Sequence, residues 1–378
     1  MLRAALAALL LLAALPLHAE GLRPESTALV VTPLQEASWV PADDGKLHVE
    51  YDLLVVNTFP VPVTVNSIEV LDSSGRELGR FAQPALAEST SYILDRSKLR
   101  TLPANSATII EIDLALEGGP VPEHLTHRIL ASAPEADGAV RALLTGEPMD
   151  GPDVKVRTAR PIAIRPPVRG AGWVAFNGCC TPNVHRSARY AAGTRIAASE
   201  TYAIDFIQLE NDRPFSGNGS ENAHYPSFGN AVLAVAEGEV VAAVDGIADA
   251  MPHRPIGGLH APLDLGGNFV LQRIAPDVYA FYGHLKQGSL EARPGTILKA
   301  GEKLGEIGSS GNSAAPHLHF GLVDRPDFVT GNAVPFVFPA YTLTGRINKV
   351  SEEGLDMEKT SEAVRSAYPL EGGIATYE

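Results

Sequence analysis

Short runs in which apolar and polar residues alternate, each closed by glycine, proline or an Asp/Ser turn, leave this chain little room for anything but sheet. Leu47–Asn57 is one such run, and Val61–Leu71 follows it after the Phe59-Pro60 break. Asp72-Ser73-Ser74-Gly75 then supplies turn chemistry, and Ala107–Leu114 repeats the pattern. A period of two sends successive side chains to opposite faces of a strand. With 35 glycines and 29 prolines in 378 residues, many short strands fit better than helical bundles. Residues 20–165 are therefore expected to form an antiparallel β-sandwich of the immunoglobulin-like kind. His48, His124 and His127 fall there without metal-like company and read as surface or packing residues.

Pro161–Pro167 reads as a stiff linker. Beyond it, residues 166–345 form the second predicted domain, again β-rich, and residues 346–378 read as a polar C-terminal tail. In the second domain, Asn230–Val244 and Pro294–Gly308 carry β-branched residues with regular glycines, the first reading as two strands around a tight turn. Asn211–Phe228 and Asp245–Gly267 lack periodicity and read as long rim loops.

Met1-Leu2-Arg3, then an apolar stretch of about 14 residues ending at Leu17, has the make-up of a secretory leader, with a cut expected after Ala19. No other segment is long and apolar enough to span a bilayer, so the mature chain is expected to be exported, periplasmic or extracellular, with no integral membrane segment. A net charge of -14 argues against a nucleic-acid partner. The only two cysteines, Cys179 and Cys180, are adjacent, which excludes a multi-bridge framework. A vicinal disulfide, a pair of thiolate ligands and a plain turn role all remain open for them.

Seven of the ten histidines beyond the leader lie between His185 and His319. His317-Leu318-His319-Phe320 follows the Gly/Ser/Asn-rich turn from Ser309 and reads as a strand. Its two imidazoles then point the same way, roughly 7 Å apart at the backbone. Tyr279–Leu285 and Tyr202–Phe206 each place an ionisable group, His284 and Asp205, in an apolar strand-like run. A carboxylate and several imidazoles delivered by separate strands suggest a zinc site with a position open to water. An unpaired buried carboxylate at Asp205 would be costly, which also asks for a cation or donors there. Tyr282 reads as packing, and His253 and His260, in a Gly/Pro-rich loop, as surface residues.

The ordered set formed by Ala203-Ile204-Asp205, Val232-Leu233-Ala234 with Gly238–Val241, Tyr282-Gly283-His284-Leu285, and Gly308–Gly311 leading into His317-Leu318-His319-Phe320 resembles the lysostaphin-type zinc endopeptidases of the bacterial cell wall. The resemblance covers roughly residues 170–338. It implies the duplicated, barrel-sandwich β fold of those peptidases and peptidoglycan peptides as substrate. It also implies that Asp205 and His319 bind Zn2+, while His284 and His317 act as general base and as stabiliser of the tetrahedral intermediate. In one place the chain departs from the family: Thr201 stands where a histidine usually precedes the metal aspartate by four residues. A catalytic zinc normally has three protein ligands. His185 is the first candidate for the third, with His224 and the Cys179-Cys180 pair as alternatives.

Two other functions compete. A non-catalytic protein with a degenerate metal site, binding cell wall or activating another hydrolase, is suggested by Thr201. A lipoyl-type carrier shares the glycine-turn architecture, but no lysine sits at the tip of the Glu237-Gly238 turn. The residues do not choose which cross-link is cut, the role of the first domain, the protein partners or the oligomeric state.

Overall fold

A computed structural model describes residues 27–378 except 94, 96, 144–147, 255–258 and 352–353. The expected leader, residues 1–19, lies outside the described residues.

The chain is mainly β, and its first domain is a sandwich of two antiparallel sheets. One runs Leu29–Pro33, Leu47–Asn57, Ala107–Leu116, Thr90–Ser91, with Ser38–Pro41 also on Leu47–Asn57; the other runs Val154–Lys155, His124–Ser132, Thr64–Leu71, Glu77–Ala82, with Met149–Asp150 on His124–Ser132. The alternation explains the core. Val49, Tyr51, Leu53 and Val55 point inward from the central strand and meet Val65, Ile68, Val70 and Ile129 of the facing sheet. Each such side chain removed from water contributes roughly 1.5–3 kcal/mol. Leu47–Asn57 departs from the usual pattern on its other face, where Glu50 and Asp52 are 1% and 0% exposed. That face is covered by the second domain.

The second domain is built on an eleven-stranded sheet. In spatial order its main path is Ile162–Ala163, Phe336–Ser351, Gly373–Tyr377, Gly170–Phe176, Ile204–Gln208, Leu318–Val323, Val278–Leu285, Asn268–Ala275, Gly238–Val244 and Ile297–Leu298; Gly354–Ala367 pairs on Phe336–Ser351. Ala231–Leu233 pairs separately with Lys303–Glu306. The two strands flanking the Glu237-Gly238 turn thus both exist but do not pair with each other. Gly238 lies so close to the neighbouring strand that a Cβ would sit 2.2 Å from the Arg273 carbonyl oxygen.

Two expectations are corrected. Residues 346–378 are not a loose polar tail. Phe336–Ser351 continues through the expected boundary, turns back as Gly354–Ala367, and Gly373–Tyr377 enters the main sheet beside Gly170–Phe176. The long hairpin is solvated on much of its surface, so its sequence looks like tail, whereas Tyr368, Ile374 and Tyr377 anchor its base in the core. Pro161–Pro167 does join the domains, yet as a docked strand: Ile162–Ala163 pairs parallel with Phe336 and Val337, and Ile164 is buried. Further ties between the domains are Asp43 with Arg346 at 2.7 Å and the Ser38 and Tyr202 hydroxyls at 3.0 Å.

Candidate metal centre

Strand register brings the chemistry together. Asp205 on Ile204–Gln208 lies directly opposite His319 on Leu318–Val323, and His319 lies opposite Gly283 on Val278–Leu285. Asp205 and His319 therefore stand side by side, His284 one residue beyond Gly283 leaves the strand alternation and lines the same cavity, and His317 stands just before the middle strand. His185 arrives differently, from the loop between Gly170–Phe176 and Tyr190–Ala192.

Asp205 is the hub. One carboxylate oxygen, Oδ1, lies 3.1 Å from His319 Nδ1 and 3.4 Å from His317 Nε2. The other, Oδ2, lies 3.2 Å from His185 Nε2 and accepts a 2.8 Å hydrogen bond from Asn177 Nδ2. Burial opposes its ionisation, but the His185 and His317 imidazoles outweigh that and hold the carboxyl well below the usual carboxylate range. The same pairing works on the imidazoles. Burial opposes a charge on His185, yet Asp205 raises it to about 9, and His317 is likewise raised against its burial. His284 goes the other way, lowered by burial and by His317 and His319, which keeps it neutral.

Backbone carbonyls fix three of the rings. Ala203 O lies 3.3 Å from His185 Nδ1, Ser310 O 2.8 Å from His284 Nδ1, and Ala315 O 2.8 Å from His317 Nδ1. A carbonyl only accepts, so each Nδ1 carries the hydrogen and each neutral ring offers its Nε2 lone pair. His284 holds φ 60°, in the left-handed region, secured by Gly308 N–H donating to its carbonyl at 3.0 Å.

The donor atoms of His185, Asp205 and His319 all lie within 4.8 Å of one another. A tetrahedral zinc with bonds of roughly 2.1 Å spaces its ligand atoms about 3.4 Å apart. The 3.1 and 3.2 Å separations, taken from the two different oxygens of Asp205, are near that size, and one carboxylate with two imidazoles gathered this closely is a donor set that suits zinc. The set opens onto a cavity of about 320 Å³, which His284 and His317 also line. Phe281, Phe328 and Tyr190 give the cavity an aromatic wall, and Glu200 adds a carboxylate.

The alternatives for a third ligand do not reach this point. Cys179 and Cys180 are joined as a disulfide, which removes thiolates, and His224 joins no such cluster among the described residues. Thr201 is buried, and its hydroxyl has no hydrogen-bond partner among the described residues. Sequence reasoning missed Asn177, whose φ of 53° suits asparagine in the Asn177-Gly178 turn; that turn was the available signal. It also missed Tyr190 and Glu200, which carry no local motif.

Residues 223–331 match the model of peptidase family M23, a stretch that includes His284, His317 and His319 but neither Asp205 nor His185. No curated protein matches the chain. Among solved structures, the catalytic domain of the antimicrobial peptidase lysostaphin from Staphylococcus simulans is 21% identical, covering 43% of this chain and 84% of that one, with a TM-score of 0.23. A mutant catalytic domain of the prophage-encoded M23 protein EnpA from Enterococcus faecalis is 21% identical, covering 44% and 88%, with a TM-score of 0.25. A zinc-containing peptidase from Vibrio cholerae is 14% identical, covering 81% and 83%, with a TM-score of 0.25. In its second domain, this chain resembles the lysostaphin-type peptidases of family M23.

Proposed function

We propose that this chain is an exported zinc metalloendopeptidase that hydrolyses peptide cross-links of peptidoglycan. The convergence of His185, Asp205 and His319 donor atoms beside a cavity flanked by His284 and His317 carries the reading. Zinc held by the three residues would supply Lewis acidity toward a peptide carbonyl and would acidify water. His284, kept neutral by burial and its neighbours, carries its Nε2 lone pair and can take the proton of an attacking water, and His317, whose Nδ1 is likewise held by a backbone carbonyl, can do so when its ring is neutral. The resulting imidazolium can then donate to the developing oxyanion or to the leaving amine as the C–N bond breaks. The water's hydroxyl ends on the carbonyl carbon and its proton on the amine. The leader-like segment supports export, and the Cys179–Cys180 disulfide suits an oxidising compartment. No helix among the described residues is long and apolar enough to cross a membrane.

The non-catalytic reading keeps one observation in its favour, Thr201 in place of the expected histidine. Zinc content and chelation separate the two. The purified protein is expected to hold about one zinc per chain. A chelator should abolish release of peptides from purified peptidoglycan, and added zinc should restore it. A protein that binds peptidoglycan but releases nothing, with or without zinc, would make the non-catalytic reading correct.

Asn177 offers a finer check. Its bond orients the Asp205 oxygen that faces His185, so Asn177→Ala is expected to weaken zinc affinity by about 10- to 100-fold, measured by chelator competition. Activity should recover at saturating zinc. Unchanged affinity would show that the Asn177 bond does not orient Asp205.

A further inference from the structure

Glu50 and Asp52 alternate on one face of Leu47–Asn57, and their cross-strand partners Asp113 and Glu111 add two more carboxylates. A sheet face of this kind ordinarily meets water. Here it meets the loop that carries His185. Arg186 is 2% exposed. Its Nε donates to Glu50 Oε2 at 2.6 Å, its Nη1 to Asp52 Oδ1 at 2.5 Å, and its Nη2 to the Tyr51 carbonyl at 2.9 Å. Arg189, also buried, donates from Nε to the other Asp52 oxygen at 2.8 Å. Burial opposes ionisation of Asp52, but the two guanidinium groups prevail and lower its pKa, so the carboxylate stays charged. The loop between these anchors is stiff. Asn183 accepts at its side-chain oxygen from Arg186 N–H and at its carbonyl from Ser187 N–H, and the His185 carbonyl accepts from Ala188 N–H. A shift of Arg186 must therefore move His185.

We infer that the N-terminal domain is a working part of the metal centre: Glu50 and Asp52 grip Arg186 and so hold His185 where it completes the ligand set with Asp205 and His319. The inference rests on the zinc reading above and adds a function for the first domain. A histidine on the same strand as Asp205 would need no such support, whereas a ligand on a loop must be fixed by something outside the strand. Arg186 and Asp52 are thus positioning residues. The fork geometry matters as well as the charge, because a lysine supplies one point charge where arginine makes several directed bonds.

The test uses the full chain and metal binding. Arg186→Ala leaves buried carboxylates without a partner and risks misfolding, so Arg186→Lys and Asp52→Asn are compared with wild type and with His185→Ala. Zinc affinity is read by chelator competition, coordination by the visible spectrum of the Co2+ form, and folding by circular dichroism. Both variants are expected to keep the fold, to bind zinc about 10- to 100-fold more weakly, and to shift the Co2+ spectrum toward that of His185→Ala. Folded variants with wild-type affinity and spectrum would overturn the inference and leave the peptidase reading standing. Equal zinc binding by wild type and His185→Ala would overturn it too, since His185 would not be a ligand. A wild-type protein that takes up no zinc would instead bring down the peptidase reading and this inference with it.

Discussion

Asp205→Ala is expected to strip zinc from the protein and to lower peptidoglycan hydrolysis by more than about 1,000-fold. Asp205 supplies one ligand atom and spaces the others, since its two oxygens face His319 and His317 on one side and His185 and Asn177 on the other. Charge stabilisation by a catalytic metal is worth several kcal/mol, and about 4 kcal/mol is a thousandfold in rate. His317→Ala is the informative contrast. It should retain zinc, because His319, Asp205 and His185 remain, yet lose roughly 100- to 10,000-fold in kcat through the missing proton acceptor. Metal analysis and single-turnover peptide release distinguish the two variants. Wild-type zinc content and rate in Asp205→Ala would refute the site.

Gly311→Ala is expected to destabilise the fold by about 2–5 kcal/mol and to damage the site at the same time. Gly311 has φ +73°, and a Cβ there would sit 2.3 Å from the Gly267 nitrogen and 2.7 Å from the Asp264 carbonyl oxygen. Both obstacles are backbone, so relief requires the turn itself to move. Next to it, Ser310 accepts from His284 Nδ1 at its carbonyl, while its hydroxyl donates to the Leu285 carbonyl and accepts from Asn268 N–H. Moving this turn frees His284 to change tautomer, so activity should fall further than the fraction unfolded explains. Denaturant titration and kcat at a temperature where the variant is folded measure the two effects. A variant with wild-type midpoint and rate would show that the contact yields easily.

The parts legible in the sequence are those written in local pattern. Alternation marked the strands of the sandwich, and the short runs around Asp205, His284, His317 and His319 marked residues that adjacent strands bring together. What escaped was written in distant pairings. Glu50 and Asp52 look like the wet side of a strand until Arg186, more than a hundred positions away, covers them. His185 could be named as a candidate because a ligand was missing, but nothing near it in sequence says that its loop returns to Asp205. The outer part of the hairpin, from residue 346 on, read as tail because strands exposed on both faces carry polar residues, and its anchors Tyr368 and Tyr377 are too sparse to show a period.

The placement of Gly373–Tyr377 has a kinetic consequence. This strand lies inside the main sheet, with Gly170 opposite Tyr377 on one side and Thr342 opposite Thr376 on the other. Gly170–Phe176, which it supports, in turn pairs with the strand of Asp205. The sheet is therefore closed by contacts about 200 residues apart in sequence, a high contact order of the kind that makes folding slow. Hairpins such as Asn268–Ala275 with Val278–Leu285 need only local chain and can form early. The half of the site nearest His284 thus rests on fast, local structure, and the half nearest Asp205 and His185 on slow, non-local structure. On this topology the Asp205 and His185 side of the site is expected to assemble late in folding, so the full ligand set would come together only once the sheet is complete.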